Sequence, residues 1–147
     1  MRRLWMGVLV FGALAGLMAV AGPRESAAGA SAVPIGSASW APVFPDQPSG
    51  PAMAVLWGDV KAGPAGFLLR FPAGAVVPTH VHSSDYQAVV ISGEFSHAAG
   101  KDPVVVLAPG SYWSQRAQLP HMNTCSAAGP CVLYLTAPKG FDLTFVK

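Results

Sequence analysis

Gly74-Ala75-Val76-Val77-Pro78-Thr79-His80-Val81-His82-Ser83-Ser84-Asp85-Tyr86-Gln87-Ala88-Val89-Val90-Ile91-Ser92-Gly93 is the stretch on which the reading of this 147-residue chain turns. Glycines bound it at both ends, and Ser83-Ser84-Asp85 divides two β-prone runs, Thr79–His82 and Gln87–Ser92. Val and Ile dominate the second run and Thr79 and Val81 alternate with the histidines of the first, as expected of short strands joined by a polar turn. Side chains of a strand alternate between faces, so His80 and His82 project from the same face, close enough to share one ion. Farther on, Pro120-His121 stands at the start of another candidate strand and offers a third ring nitrogen from a neighbouring strand.

The same texture extends outward from this stretch. From Met53 onward, short apolar or alternating runs are interrupted at close intervals by Gly, Pro, Asp and Ser. The further predicted strands are Ala54–Trp57, Gly66–Phe71, Val104–Leu107, Tyr112–Gln115, Val132–Thr136 and Leu143–Val146. No segment after the N-terminal region sustains a helical period with caps. Short strands so closely spaced predict an all-β domain, a sandwich or a jelly-roll barrel with a small core.

Spacing adds a resemblance. Gly74, five residues, His80-x-His82, three or four residues to Tyr86 or Gln87, and then Gly93 resemble the first motif of the cupins. Gly110 to His121 keeps the length of their second motif, and the sixteen residues from Glu94 to Pro109 separate the two, as in compact single-domain cupins. The resemblance covers about Met53 to Lys147. It implies a cupin double-stranded β-helix, a jelly-roll barrel of six to eight strands with a metal inside. The surrounding phrases are similar to those of a cupin group of unassigned function. Three departures stand out. Tyr86 or Gln87 occupies the place of the usual Glu ligand, with Asp85 one position early. Arg116 and Gln118 replace the usual Pro and Gly of the second motif, and Cys125 holds its closing Asn position, with Asn123 two residues before.

These residues set chemical expectations. Three neutral imidazoles from His80, His82 and His121 suit iron, manganese, zinc or nickel, and leave the full charge of a divalent ion uncompensated. Such a site favours an anionic or enolate-like small-molecule ligand. Gln87, if inward, adds a weak oxygen ligand or orients a His or a water. Asp85, if inward, is a carboxylate ligand or a base. Tyr86 either packs in the barrel or offers its hydroxyl to substrate. Arg70 and Arg116, the arginines of the β region, either meet a substrate carboxylate or face solvent. His97, before an Ala-Ala-Gly turn, reads as a surface residue. The bland reading of the three histidines is a remnant site in a barrel that binds organic ligands or simply folds. Cys125 and Cys131 bracket Ser126-Ala127-Ala128-Gly129-Pro130, a turn that a disulfide would cross in an oxidising compartment; buried free thiols are the rival.

The N-terminus supplies the compartment. Arg2 and Arg3 precede an uncharged apolar run from Leu4 to Gly22 followed by Ala19-Val20-Ala21 and Ala28-Gly29-Ala30 patterns, the layout of a cleavable signal. The expected division is residues 1–21 as signal, with cleavage as late as 30, residues 22–51 as a Pro/Ala/Ser-rich linker or arm, and 52–147 as the barrel. Export to the periplasm or beyond follows, with a membrane anchor as the rival. The chain carries 9 Lys+Arg against 7 Asp+Glu, and removal of the signal takes the excess with it. Charge then favours neither nucleic acid nor an anionic membrane as partner. Trp40, Val43 and Phe44 of the arm are placed to pack on the barrel or on a second subunit of a homodimer. No nucleophile elbow, phosphate loop or dinucleotide fingerprint is present. The functional expectation is metal-dependent oxygenation, isomerisation or hydrolysis of a small anionic molecule; the alternative is a binding or sensing module without turnover.

Overall fold

The structure is a computed structural model that describes residues 31–146. The expected signal segment lies outside the described residues. Eleven strands run in the order β1 (Ala41–Pro42), β2 (Ala52–Gly58), β3 (Ala65–Phe71), β4 (Val76–Val81), β5 (Tyr86–Ser92), β6 (Phe95–Ala99), β7 (Val105–Leu107), β8 (Tyr112–Gln115), β9 (His121–Cys125), β10 (Cys131–Ala137) and β11 (Thr144–Phe145). They form two antiparallel sheets, β1-β2-β3-β10-β5-β8 and β11-β4-β9-β6-β7. This is the double-stranded β-helix expected from the motifs.

Alternation along each strand sends one set of side chains into the space between the sheets. Phe67, Leu69, Phe71, Ala88, Val90, Leu133 and Leu135 come from the first sheet, and Val77, Phe95 and Leu107 from the second. Most predicted strands are present with shifted ends. The first histidine strand begins at Val76 and ends at Val81, which leaves His82 just beyond it. Leu143–Val146 shortens to Thr144–Phe145. One central strand escaped sequence reading, β6 with Phe-Ser-His-Ala-Ala, while β9, His121–Cys125, starts where the sequence placed a strand start but was given no further extent. Their inward positions include His97, His121 and Asn123 rather than aliphatic residues, so the hydrophobic alternation that marks a strand is missing from the sequence.

Within the segment read as linker or arm, Trp40–Phe44 lie against the barrel. After a 3-10 turn at Ile35–Ser37, Ala41 and Pro42 pair with Met53 and Ala52 on the edge of β2. The Arg70 guanidinium sits 4.6 Å from the Trp40 ring centre, Phe44 stacks on Phe145 at 6.1 Å, and Val43 packs on the core.

At the closed end of the barrel, Cys125 and Cys131 form a disulfide that joins the end of β9 to the start of β10. Gly93, the last glycine of the first motif, packs against this bridge. It has φ of 81°, and a Cβ there would stand 2.6 Å from the Pro130 carbonyl oxygen and 2.9 Å from Cys131 Sγ. Gly74 also has a left-handed φ, 74°, but faces open space. The two motif glycines should therefore respond differently to alanine. Gly74→Ala is expected to cost about 1 kcal/mol of backbone strain, and Gly93→Ala about 3 kcal/mol or more because steric overlap adds to that strain. Chemical denaturation of the two variants checks the difference.

Candidate metal centre

β4 and β9 are paired so that His80 lies directly opposite His121. Both point inward, and His82 follows one turn of alternation beyond His80. The three side chains are buried, at 2%, 3% and 1% exposure in chain order, and one ring nitrogen of each lies within 4.8 Å of the others. His80 and His121 rings are 4.2 Å apart between centres.

Each imidazole is held from behind by the backbone. His80 Nδ1 donates to the Pro78 carbonyl at 2.8 Å, His121 Nδ1 to the Leu119 carbonyl at 3.0 Å, and His82 Nδ1 to the Asp142 carbonyl. A nitrogen facing a carbonyl carries the hydrogen, which leaves the Nε2 lone pair of every ring available to accept, in His121 from the Tyr86 hydroxyl. Backbone carbonyls behind the ring are the arrangement that orients metal-binding histidines. Burial also keeps the rings neutral. Loss of hydration lowers His82 to about 4, against the opposing pull of the Asp142 carbonyl. It lowers His121 to about 3, with the neighbouring histidines adding to the effect. His80 is lowered by the same burial. No proton then competes for these nitrogens near neutrality, and the donor set fits a divalent transition metal.

His82 owes its position to a segment far away in sequence. Phe141 stacks on its ring at 4.5 Å, Ser83 N donates to Asp142 Oδ1 at 2.7 Å, and Ser84 Oγ donates to the Gly140 carbonyl at 2.7 Å. The stretch after β10 is thereby clipped over the turn that carries the histidine.

The remaining candidates separate cleanly. Tyr86, the first residue of β5, points inward, and its hydroxyl donates to His121 Nε2 at 3.2 Å. It stands where the cupin motif places a carboxylate, and burial raises its hydroxyl above the ordinary phenol range. Strand alternation then turns Gln87 outward, where it is exposed and pairs across from Ser114, so it is not a ligand of this site. Asp85 is also exposed, and its Oδ1 accepts from Ala117 N at 2.7 Å. Arg70 is exposed under Trp40, and Arg116 is exposed beside Gln87 on the outer side of the barrel; neither reaches the histidines. The substrate contacts expected of the two arginines are corrected accordingly.

His97 is likewise not the surface residue the sequence suggested. It is half-buried on β6, 5.4 Å from the His121 ring and 5.6 Å from Trp113, and its Nδ1 accepts from Asn123 Nδ2 at 2.9 Å. Burial lowers its basicity too. The signal that could have found it is the alternation Phe95-x-His97, which puts His97 on the face of a buried aromatic.

Beside His80 and His82 opens a cavity of about 610 Å3, whose buried polar lining also includes Tyr86 and Asn123. Its walls are aromatic and aliphatic, contributed by both sheets, by the arm and by Phe141.

Comparison with known proteins places this geometry. Residues 35–143 match the family model described as "Domain of unknown function (DUF4437)". No curated protein matches the chain. Among solved structures it is similar to KdgF from Halomonas sp., at 20% identity over 74% of this chain and 94% of that one, TM-score 0.58. It is similar to the DMSP lyase DddQ from Ruegeria pomeroyi DSS-3, at 19% identity over 70% and 57%, TM-score 0.60. It is also similar to an RmlC-like cupin from Shewanella frigidimarina NCIMB 400, at 17% identity over 72% and 88%, TM-score 0.57. At these identities the likeness is one of fold, and the fold is that of the cupins.

The buried neutral histidines give the metal-free protein a defined pH dependence. Below about pH 6.5 the unfolded chain takes up protons that the folded state refuses until about 4 at His82 and about 3 at His121. More protons on the unfolded state mean that stability falls as pH drops through this window and is level in this respect above it. Thermal melts of chelator-treated protein should show that fall, with a shallower slope in His121→Gln. Excess zinc at pH 7 should raise the melting temperature of the wild type by mass action.

Proposed function

The chain belongs to the DUF4437 domain family, and we propose that it is an exported, metal-dependent enzyme acting on a small molecule that presents an anionic oxygen. The observation that carries this reading is the trio of buried, neutral imidazoles whose Nδ1 atoms are tied to carbonyls and whose Nε2 atoms converge. His80, His82 and His121 would hold one divalent ion, for which iron, manganese, zinc and nickel all have suitable ligand chemistry. Such an ion supplies Lewis acidity toward a substrate oxygen. The chain's own groups do the rest. Tyr86 O–H and the Asn123 side-chain amide line the cavity to orient that oxygen, and the apolar walls keep water out. A ligand set without a carboxylate favours isomerisation or hydrolysis over oxygenation, since the usual oxygenase ligands are incomplete.

That the DMSP lyase DddQ from Ruegeria pomeroyi DSS-3 is built on a similar fold supports a catalytic role. One observation favours a second reading, a binding module without turnover: the acid on the cavity wall, Asp142, is exposed and engaged with Ser83, and among the described residues no buried carboxylate lines the cavity to act as a base. Export is supported by the Arg2-Arg3 and Leu4–Gly22 pattern and by the Cys125–Cys131 bridge, which suits an oxidising compartment.

Elemental analysis of protein isolated from its native compartment tests the reading. Wild type is expected to carry close to one equivalent of a transition metal and His82→Ala at least tenfold less; a metal-free wild type would sink it. Intact-mass measurement of the same material should give a mature N-terminus at residue 22 or 31.

A further inference from the structure

We infer that the cavity beside His80 and His82 is built for a compact aromatic molecule carrying a single anionic oxygen head. This rests on the metal reading above and names the substrate class of that site.

The buried polarity of the cavity is confined to a few residues. His80, His82 and Tyr86 stand together, with neighbouring rings 5.0 Å apart, and with Asn123 they are the buried polar residues of the lining, whereas Phe71, Phe95, Leu133 and Leu135 are apolar. Phe44 of the arm and Phe141 of the segment after β10 close the sides. The charged residues on the lining, Lys61 and Asp142, are both exposed, so they belong to the opening and not to the interior. Arg70 and Arg116 face away, and no guanidinium or ammonium group among the described residues stands inside to pair with a second anionic group. A ligand bearing several hydroxyl or carboxylate groups would therefore bury them against hydrocarbon without partners, which is strongly unfavourable.

The head group is specified by three observations. The ligand set brings no negative charge to a divalent ion, which leaves the ion to attract an anionic oxygen. Tyr86 offers a hydroxyl beside it. Trp113 Nε1, on a residue that lines the cavity, is buried with no well-formed hydrogen bond and stands beside the Tyr86 hydroxyl. An unsatisfied buried donor in a binding cavity marks a place for an acceptor. The body is specified by volume and shape. About 610 Å3 lies within the range of sites that enclose drug-sized ligands. Its walls of aromatic rings favour flat rings stacked edge-to-face or offset.

Calorimetric titration of the mature chain with 2-naphthoate, acetate and gluconate tests the assignment, with both cobalt(II)-loaded and metal-free protein. All three probes carry one carboxylate, and only the first has an aromatic body. The cobalt protein is expected to bind 2-naphthoate at least tenfold more tightly than acetate or gluconate, with a change in the cobalt visible spectrum. Met53→Trp fills the half-buried mouth of the cavity and should weaken 2-naphthoate at least tenfold while changing acetate less than twofold. Gluconate binding as tightly as 2-naphthoate, or equal affinity for acetate and 2-naphthoate, overturns the inference. Should Met53→Trp not fold, intermolecular NOEs from the naphthyl protons to Phe71 and Phe95 in the zinc-loaded wild type decide, and their absence overturns it. Failure to take up cobalt sinks the metal reading alone: 2-naphthoate must still outbind gluconate in the metal-free protein if the cavity is as inferred.

Discussion

Three neutral imidazoles inside an apolar barrel are the constraint on which the rest of this structure depends. Polar rings are costly to bury unless their hydrogen-bonding atoms are satisfied. Here the backbone satisfies one nitrogen of each ring, through the carbonyls of Pro78, Leu119 and Asp142, and the other nitrogens face one another. The same hydrogen bonds that make burial tolerable also aim the lone pairs. Stability and ligation are therefore served by one geometry.

That geometry explains features that look unrelated at first. The stretch Gly140–Asp142 must reach back over Ser83 and Ser84 because His82 lies past the end of its strand and has no ladder partner to hold it. Phe141 then serves twice, as a plate against His82 and as packing on Phe67 at 4.8 Å. Asn123 and His97 form a second polar pair behind His121, so the interior of the second sheet is polar over several residues. The first sheet compensates with a continuous aliphatic and aromatic inner face, and the disulfide between β9 and β10 stabilises the barrel by about 2 kcal/mol for so short a loop.

The arm ties this interior to the segment before the barrel. Pairing with β2, stacking of Phe44 on Phe145 and the Trp40–Arg70 contact draw Ser39–Phe44 across the cavity. The consequence for Arg70 is that its charge is spent on an aromatic face outside the barrel. Among the described residues no fixed cation stands in the interior, which shapes what it can hold.

Much of the centre was legible in the amino-acid sequence. His-x-His on a strand must place both rings on one face, because alternation has a period of two, and the spacing to His121 carried the cupin pattern to the third ligand. The same alternation should have decided between Tyr86 and Gln87, but only once the strand's starting phase was known, and that phase is set by pairing Tyr86 with Gln115 on β8. β6 was hidden and β9 was recognised only at its first residue because their inner faces are polar, and a polar inner face is recognisable only when another sheet is seen to cover it. The sequence by itself determined the histidine triad and the β architecture, since both rest on local periodicity. The inward turn of Tyr86, the burial of His97, the outward arginines and the apolar character of the cavity were decided by tertiary structure, because each depends on which distant segment packs against which face.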